Sequence, residues 1–337
     1  MIKKEIMKKI LQYLFEHKTL DKLQAQELLT NISKGMYNDH EVTAFITVFL
    51  MRSITIQELE GFRDALLDLC VKVDLGDYKT MDIVGTGGDG KNTFNVSTLA
   101  CFIVAGAGQK VAKHGNYGAS SISGASNVME NLGYKFKSDS VQLKREVEEA
   151  NICFLHAPVF HPALKTVGPI RRNIGLRTFF NMLGPMVNPA SPAYQLVGVY
   201  NLEMARIYNY LLQPTGRAFT IIHSLDGYDE ISLTNDTKVI TNKGEFIMTP
   251  EQLGKRSVTP QDIYGGNTPE EAAKIFSTVI KGEGTWAQSA VVLANAAMAL
   301  HCTGAYSTYD DAYHAAVESL ESGKAHGALK KLIALQS

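Results

Sequence analysis

Short apolar runs alternate with helix-like segments over most of the chain, and this alternation restricts the fold more than any other feature. The runs "MDIVG", "QKVAKHG", "NICFLHAP", "YQLVGVY" and "RAFTIIHS" are each typical of a buried strand, and segments of helical length separate them. Strands buried on both faces form continuous apolar runs, and a helix between two strands is the usual parallel crossover. The pattern predicts an α/β fold with a mostly parallel sheet flanked by helices.

The segment after the last of these strands departs from the alternation. "TKVITNKGEFIMTP" has an alternating pattern around Asn242, Lys243 and Gly244. Such a pattern with a short polar turn predicts an antiparallel hairpin. From Pro269 onward the chain has a helical pattern.

The first 72 residues contain no strand pattern and predict a small all-helical domain. Residues 78–335 then form the α/β domain, which would carry the catalytic site. The apolar stretch "AFITVFLM" exceeds what one small domain can bury, which predicts a surface for self-association. Helix starts with capping-box spacing occur at Asp21 with Gln24, Asn38 with Glu41, and Thr55 with Glu58.

Composition excludes several classes of protein. The net charge of −1 argues against a general binder of nucleic acid or of membrane surfaces. The apolar runs are too short for a membrane span, and Lys8 and Lys9 interrupt the N-terminal segment where a signal peptide would be apolar. The four cysteines form no C-x-x-C pair, which is typical of reduced thiols. We therefore expect a cytoplasmic protein without a membrane or nucleic-acid partner.

The run "VGTGGDGKNT" after the first strand raises the question of which phosphate it binds. Gly85, Gly87 and Gly90 have the spacing of a dinucleotide fingerprint, but the next strand ends in Lys113-His114 and not in an acidic residue. The run also resembles a P-loop, except that Asn92 stands where serine or threonine is required. A tight turn without a ligand is the remaining local interpretation.

Four motifs together resemble the anthranilate phosphoribosyltransferases. They are "DIVGTGGDGKNTFNVST", "KHGNYGASSISGASNVMENLG", "HPALKTVGPIRRNIGLRTFFNMLGPMVNP" and "DGYDEIS", in this order, and the resemblance extends from about residue 5 to about residue 330. It implies transfer of a 5-phosphoribosyl group from phosphoribosyl pyrophosphate to the amine of anthranilate, with release of pyrophosphate, in tryptophan biosynthesis. It also implies Mg²⁺ as the cofactor and a homodimer formed through the helical domain.

The resemblance assigns roles to particular residues. It implies that Arg171 binds the anthranilate carboxylate, with Gly85, His114, Asn116, His161 and Gly184 around the acceptor. It implies that Asp229 and Glu230 bind Mg²⁺, with Ser97 as a further ligand. The residues implied to bind phosphoribosyl pyrophosphate are Gly85, Gly88, Asp89, Thr93, Asn95, Val96, Ser97, Thr98, Lys113, His114, Gly115, Asn116, Tyr117, Gly118, Ala119, Ser120, Ser121 and Ala125.

The chain departs from the family pattern at a few positions. Tyr117 stands where arginine is common, Ala125 stands where serine is frequent, and His156 and Phe160 stand where phenylalanine and histidine are more usual. The competing function on the same fold is a pyrimidine nucleoside phosphorylase, which would not need Mg²⁺. A silent relative that binds nucleic acid is the other alternative, and it predicts a basic surface and the loss of the metal and phosphate motifs.

Overall fold

The computed structural model describes residues 2–118, 122–254 and 256–336 of the chain, which divides into two compact units. The helical unit comprises Met1–Lys72 and Ala157–Pro189. The second unit comprises Val73–His156 and Ala190–Ser337 and contains the sheet. The segment 157–189, which the sequence analysis counts with the α/β domain, therefore lies in the helical unit.

The helices of both units follow the predicted pattern, and the three predicted capping boxes are present at the starts of the second, third and fourth helices. In each box the two side chains satisfy main-chain N–H groups that the first helical turn leaves without partners. The helices are α1 (Ile2–Phe15), α2 (Lys22–Ser33), α3 (Asp39–Met51), α4 (Ile56–Leu69), α5 (Val96–Gly106), α6 (Ala125–Asn131), α7 (Ser140–Ala150), α8 (Ala157–Phe160), α9 (Ala163–Ile174), α10 (Phe180–Leu183), α11 (Leu202–Leu212), α12 (Pro250–Gly254), α13 (Pro269–Ile280), α14 (Trp286–Cys302), α15 (Tyr309–Glu321) and α16 (Lys324–Ala334).

Aromatic packing explains why the segment 157–189 belongs to the helical unit. Phe179 stacks on Phe62 of α4 with ring centroids 4.6 Å apart, and it makes an edge contact with Phe45 of α3. All three rings are buried. The Val71 N–H also donates to the Phe160 carbonyl over 2.8 Å. These contacts join residues far apart in the chain, so local sequence patterns could not predict them.

One sheet forms the centre of the second unit, as predicted. In the described part of the chain it has seven strands in the order β3-β2-β1-β4-β5-β6-β7. The first five strands in chain order pair in parallel, and the last two form the predicted antiparallel hairpin. The strands are β1 (Met81–Gly85), β2 (Val111–Gly115), β3 (Ile152–His156), β4 (Tyr194–Gly198), β5 (Ala218–Ser224), β6 (Thr237–Thr241) and β7 (Gly244–Met248).

The strand order places a topological switch point at β1. The chain moves from β1 to one side through β2 and β3, and β4 then returns to pair with β1 on the other side. In open α/β sheets, ligands bind outside the carboxyl ends of the strands at such a point. Gly85 of β1 pairs directly with Gly198 of β4 at this edge.

The helix after β1 forms the centre of the core. All of α5 except Ser97 and Gly106 is buried, and the helix packs against α14, α15 and α16. Such a helix holds its own N-terminus firmly at the edge of the sheet. Within the described residues, no helix has both the length and the apolar character that a membrane span requires.

Candidate active site

The loop after β1 contains the glycine run and approaches a distant acidic segment closely. Gly87, Gly88 and Gly90 have φ values of +65°, +80° and +74°, which residues with side chains rarely adopt. A Cβ atom at Gly198, at the end of β4, would collide with the main-chain carbonyl of Asp229. The glycines at this edge therefore allow three main-chain segments to meet.

The acidic pair Asp229-Glu230 lies beside the glycine loop. The Gly87 N–H donates a hydrogen bond to Asp229 Oδ2 over 2.7 Å, and the Asp89 side chain is also hydrogen-bonded to Asp229. Burial, together with the charge of Asp89, raises the pKa of Asp229 to about 7. Burial and the charges of both aspartates raise the pKa of Glu230 well above its usual range. Burial first, and then the neighbouring aspartate charges, thus disfavour ionisation of Asp229 and Glu230, and a cation beside them would favour the ionised forms.

The donor set fits magnesium. Within the described residues, no three acidic, histidine or cysteine side chains are placed to enclose an ion by themselves. Mg²⁺ usually keeps several waters and binds through one or two carboxylates together with substrate phosphates. The Ser97 N–H and the Thr93 side chain both hydrogen-bond to Glu230, so Ser97 lies beside the acidic pair. Asp89, assigned from the sequence to donor binding alone, also belongs to this cluster.

The N-terminus of α5 lies directly after the glycine loop, and together the two could form an anion site. Its N-cap residue, Asn95, does not cap the first turn with its side chain, which donates instead to the Ser123 carbonyl over 2.9 Å. N–H groups in a first helical turn, with the positive end of the helix dipole, favour a phosphate. Val96 and Thr98 are 0% and 1% exposed. A ligand could therefore reach these two positions only through main-chain atoms.

Asn92, the residue that excludes a P-loop, has a structural role. Its side chain donates to the Gly266 carbonyl over 2.7 Å, and its carbonyl accepts from the Gly265 N–H over 2.7 Å. The adjacent Thr93 forms a short antiparallel bridge with Tyr264. These contacts hold the second half of the glycine loop against the segment that precedes α13.

Lys113 and His114 lie near the end of β2 with buried side chains, and Lys113 stands next to the site. Lys113 Nζ donates to the Ile83 carbonyl over 2.7 Å and lies 3.4 Å from Ser97 Oγ. The His114 N–H donates to Asp82 Oδ1 over 3.2 Å. Lys113 is therefore not an exposed residue at a strand end. Its ammonium group lies next to the N-terminus of α5.

Two residues that depart from the pattern of the resembled family, Tyr117 in the turn after β2 and His156 at the end of β3, lie in contact. Tyr117 packs edge-on against His156 at 4.8 Å, and Phe136 stacks on that imidazole at 4.3 Å. Ser126 Oγ lies 2.8 Å from His156 Nδ1, and the Tyr117 hydroxyl donates to Glu130 over 2.7 Å. Tyr117 therefore packs within this cluster, where the family commonly has an arginine. The His156 substitution is explained by its bond to Ser126, which a phenylalanine could not form.

The start of α6 closes the same turn. Asn127 Oδ1 accepts from the N–H groups of both Gly118 and Gly124, over 3.1 Å and 3.0 Å. A Cβ atom at Gly115 would lie 3.3 Å from the Cβ of Ala125, so these small residues pack closely. Asn116 and Gly118 are exposed. Three further residues predicted to bind the donor, Ala119, Ser120 and Ser121, lie outside the described residues.

Arg171, the predicted acceptor-binding residue, lies in the helical unit near the end of α9. Its guanidinium stands 5.1 Å from the centre of the Phe180 ring, and its Nη2 lies 3.4 Å from Asn181 Oδ1. Burial lowers its pKa. Among the described residues of its own unit, no carboxylate forms an ion pair with it. A partly buried guanidinium without a carboxylate partner in its own unit is suited to bind an anionic ligand.

His161 and Gly184 occupy different settings in the helical unit. His161 is 1% exposed, its ring hydrogen-bonds to the main chain of Val187 and Leu66, and burial lowers its pKa to about 4. It is therefore neutral near pH 7, and its burial favours a structural role over contact with a ligand. A Cβ atom at Gly184 would meet no described atom within 4 Å, so the space before it is open.

Sequence reasoning also missed two groups at this site. Gly198 stands at the end of "YQLVG", and a glycine ending a buried strand was the available signal for a close approach. Asn295 lies in the middle of α14, where its side chain contacts the residue after the acidic pair. A lone buried asparagine in an apolar helix gave no indication of that partner.

Two protein-family models match the chain, one for each of its two parts. Residues 8–70 match the family model described as "Glycosyl transferase family, helical bundle domain". Residues 77–326 match the model described as "Glycosyl transferase family, a/b domain". Both parts of the chain therefore fall within one glycosyl transferase family.

Similar proteins and structures carry a common name. The chain is 57% identical over 326 residues to an anthranilate phosphoribosyltransferase from Flavobacterium psychrophilum, covering 97% of this chain and 98% of that one. It is 56% identical over 331 residues to one from Bacteroides thetaiotaomicron, covering 98% and 100%. The crystal structure of that name from Thermus thermophilus has a TM-score of 0.90 at 30% identity, covering 97% and 98%.

The Saccharomyces cerevisiae enzyme in complex with PRPP and Mg also superposes with a TM-score of 0.90, at 27% identity and with 98% of each chain covered. This resemblance extends over both units. The chain belongs to the anthranilate phosphoribosyltransferase family.

Proposed function

We propose that this member of the family transfers the 5-phosphoribosyl group of phosphoribosyl pyrophosphate to the amine of anthranilate, releasing pyrophosphate in tryptophan biosynthesis. The observation that carries the proposal is the placement of three carboxyl groups, those of Asp89, Asp229 and Glu230, against the glycine loop, where burial raises the pKa of each and a cation would favour the ionised forms. The cluster meets the glycine loop and the N-terminus of α5, where main-chain N–H groups favour phosphate. A polyanionic donor bound with a divalent cation fits this site, because the carboxyl groups can bind the cation and the main-chain N–H groups can bind the phosphates.

The donor would bind at the carboxyl edge of the sheet. Main-chain groups of the glycine loop and of the α5 N-terminus would hold its phosphates, and Lys113 would add a positive charge. Asp229 and Glu230, with Ser97, would hold Mg²⁺. When bound, the ion supplies charge stabilisation for the departing pyrophosphate. The protein's own residues fix the position of the phosphates before any bond breaks, which removes much of the entropic cost of reaction.

The acceptor would bind through its carboxylate to Arg171. A guanidinium can grip a carboxylate through two parallel hydrogen bonds, and this grip fixes the direction of the anthranilate amine. The reaction forms a bond from the amine nitrogen to C1 of the ribose and breaks the bond from C1 to the pyrophosphate oxygen. The amine then loses one proton. Gly184 would leave room for the aromatic ring, since nothing described lies in front of it.

Positioning and charge stabilisation account for this chemistry without a strong general base. His161 is neutral near pH 7 but buried inside the helical unit, with its ring bonded to the main chain. The anthranilate amine is a nucleophile in its neutral form, so its proton can leave after the new bond has begun to form. We expect electrostatic stabilisation of the leaving group to contribute most to the rate.

A pyrimidine nucleoside phosphorylase is the alternative on the same fold. That reaction uses inorganic phosphate and a nucleoside and does not require a divalent cation. A phosphorylase would therefore have no cation to bind to the three neighbouring carboxyl groups beside the anion site. The relatives named above also favour the transferase.

We further propose that the chain forms a homodimer through the helical unit in the cytoplasm. Four apolar side chains of the stretch "AFITVFLM", those of Phe45, Ile46, Val48 and Phe49, are buried and supply none of the apolar surplus that its sequence indicated. The large apolar side chains that this unit exposes include Met51 at the end of that stretch, which is 83% exposed, and, outside it, Leu23 at 75% and Phe15 at 61%. A second copy could cover such residues. Sedimentation as a monomer of about 37 kDa at micromolar concentration would contradict this proposal.

The test of the proposed function follows the fluorescence of anthranilate in the presence of phosphoribosyl pyrophosphate. We expect the wild type to consume anthranilate only when Mg²⁺ is present. The variant Asp229→Ala/Glu230→Ala should fold but lose this activity. A matched control is Glu318→Ala, an exposed acidic residue paired with Lys324 away from the sheet edge, which should retain it. Turnover that is independent of Mg²⁺, or that survives loss of the acidic pair, would overturn the assignment.

A further inference from the structure

A buried asparagine holds the main chain directly after the acidic pair. Asn295 of α14 is 2% exposed. Its Oδ1 accepts from the Ile231 N–H over 3.1 Å, and its Nδ2 donates to the Ile231 carbonyl over 2.9 Å. One side chain thus satisfies both main-chain polar groups of the residue that follows Glu230. Asn295 also donates to the Val291 carbonyl in its own helix, which fixes its orientation.

A buried serine holds the same segment through separate hydrogen bonds. Ser224 ends β5 and is 0% exposed. Its hydroxyl donates to the Glu230 carbonyl over 2.7 Å and accepts from the Ser232 N–H over 3.2 Å. Three consecutive residues, Glu230 to Ser232, therefore depend on two side chains for main-chain hydrogen bonds.

These contacts replace the hydrogen bonds that a strand or helix would provide. The segment 229–232 belongs to neither kind of element, and Ile231 and Ser232 are buried, so water cannot satisfy their main-chain groups. Without Asn295 and Ser224 the segment would have to move or leave polar groups without partners. Any such movement would shift the carboxylates of Asp229 and Glu230. Mg²⁺ is sensitive to such shifts because it requires nearly ideal octahedral geometry at short distances.

We propose that Asn295 and Ser224 are positioning residues for the Mg²⁺ site, acting through the main chain of residues 230–232. The inference rests on the proposed function, because it requires that Asp229 and Glu230 bind the ion. It goes further in assigning a role in metal binding to two residues that would not touch the metal or either substrate. Residues that orient metal ligands commonly affect metal affinity by about tenfold to a hundredfold when they are changed.

The experiment measures metal binding directly and not through activity alone. Mn²⁺ serves as the probe, and its binding in the presence of pyrophosphate is followed by electron paramagnetic resonance. The variants are Asn295→Leu, which removes the hydrogen bonds at similar volume, and Ser224→Ala. The control is Ser319→Ala, since Ser319 is 1% exposed and donates to the Ile103 carbonyl over 2.7 Å, far along α5 from the site. The Mg²⁺ concentration that gives half-maximal activity is the second readout.

We expect both positioning variants to weaken Mn²⁺ binding by about tenfold or more and to raise the half-maximal Mg²⁺ concentration similarly. The KM for anthranilate should stay within about twofold, because Arg171 lies in the other unit. Ser319→Ala should lower the resistance to urea while leaving metal binding unchanged. If Ser319→Ala weakens Mn²⁺ binding as much as the positioning variants do, the role is merely structural and the inference is overturned.

Two further outcomes separate the inference from the function on which it rests. If Asp229→Ala/Glu230→Ala abolishes Mn²⁺ binding but Ser224→Ala and Asn295→Leu bind as the wild type does, only the inference fails. If Asp229→Ala/Glu230→Ala binds Mn²⁺ as tightly as the wild type, the proposed metal site itself fails. Should Asn295→Leu not fold, Ser224→Ala tests the inference alone, because it removes one hydroxyl without adding volume.

Discussion

The acidic cluster should make the metal-free protein less stable than a variant that lacks one of its carboxylates. We consider Asp229→Asn in the absence of any divalent cation. Asn keeps an oxygen that can accept from the Gly87 N–H, as Asp229 Oδ2 does over 2.7 Å. Its amide can donate to Asp89, so the substitution removes a buried charge without removing the local hydrogen bonds.

The magnitude follows from the pKa of Asp229, which burial and the charge of Asp89 raise from 3.8 to about 7. At 1.36 kcal/mol per pKa unit, this difference corresponds to about 4 kcal/mol at most. The native state holds the proton more tightly than the unfolded state, so stability falls as pH rises from about 4 to about 7. Asp229→Asn should therefore be more stable than the wild type by about 2–4 kcal/mol at pH 8, and the gain should vanish near pH 4.

The assay is urea unfolding in EDTA at pH 4, 6 and 8, followed by tryptophan fluorescence. The chain has a single tryptophan, Trp286, which starts α14 in the same unit as the acidic cluster. The signal therefore reports the unit that contains the substitution. If Asp229→Asn is no more stable than the wild type at pH 8, the carboxyl is not destabilised by its surroundings and the reasoning is refuted. Mg²⁺ with pyrophosphate should stabilise the wild type but not the variant.

Three further predictions concern single positions. Arg171→Lys should raise the KM for anthranilate by about tenfold or more, because lysine cannot bind a carboxylate through a planar fork, and should leave the KM for the donor within about twofold in steady-state kinetics. Gly198→Ala should abolish metal binding measured by calorimetry, since its Cβ would collide with the Asp229 carbonyl; wild-type binding would contradict the packing described. His156→Phe should keep the ring contacts but lose the bond to Ser126, lowering the free energy of unfolding in urea by about 1 kcal/mol; an unchanged value would show that this bond contributes nothing.

Much of the fold follows from local sequence patterns. The apolar runs predicted the parallel strands, and the alternating segment predicted the hairpin, in which Thr241 pairs with Gly244. Capping-box spacing predicted helix starts such as that at Asp21. These features depend on residues a few positions apart, where periodicity and turn chemistry act directly.

Other features depend on partners far away in sequence and could not be predicted locally. The segment 157–189 belongs to the helical unit because Phe179 packs against rings of α3 and α4. The same ring, Phe179, also helps to bury Phe45 and Phe49 of the stretch "AFITVFLM". Asn295 contacts Ile231 from a helix 64 positions along the chain. Each of these features depends on contacts between residues far apart in sequence. A pattern read within the length of one helix does not include both partners of such a contact.

The candidate site was predictable as a set of motifs but not as a set of contacts. The glycine loop and the acidic pair were found from the sequence, and the structure brings them together through the hydrogen bond from Gly87 to Asp229. The sharing of a hydrogen bond between Asp89 and Asp229 was not foreseen, because it requires two loops to meet at the edge of the sheet. Burial raises the pKa of all three carboxyls, the charge of Asp89 adds to the rise at Asp229 and Glu230, and a cation beside them would favour their ionised forms.

The most direct test of the account measures pyrophosphate release and anthranilate consumption in the same reaction. With phosphoribosyl pyrophosphate and Mg²⁺, we expect one pyrophosphate to be released for each anthranilate consumed, and we expect neither change when EDTA replaces the metal. Absence of both changes with well-folded protein, together with cleavage of thymidine or uridine by inorganic phosphate, would contradict it.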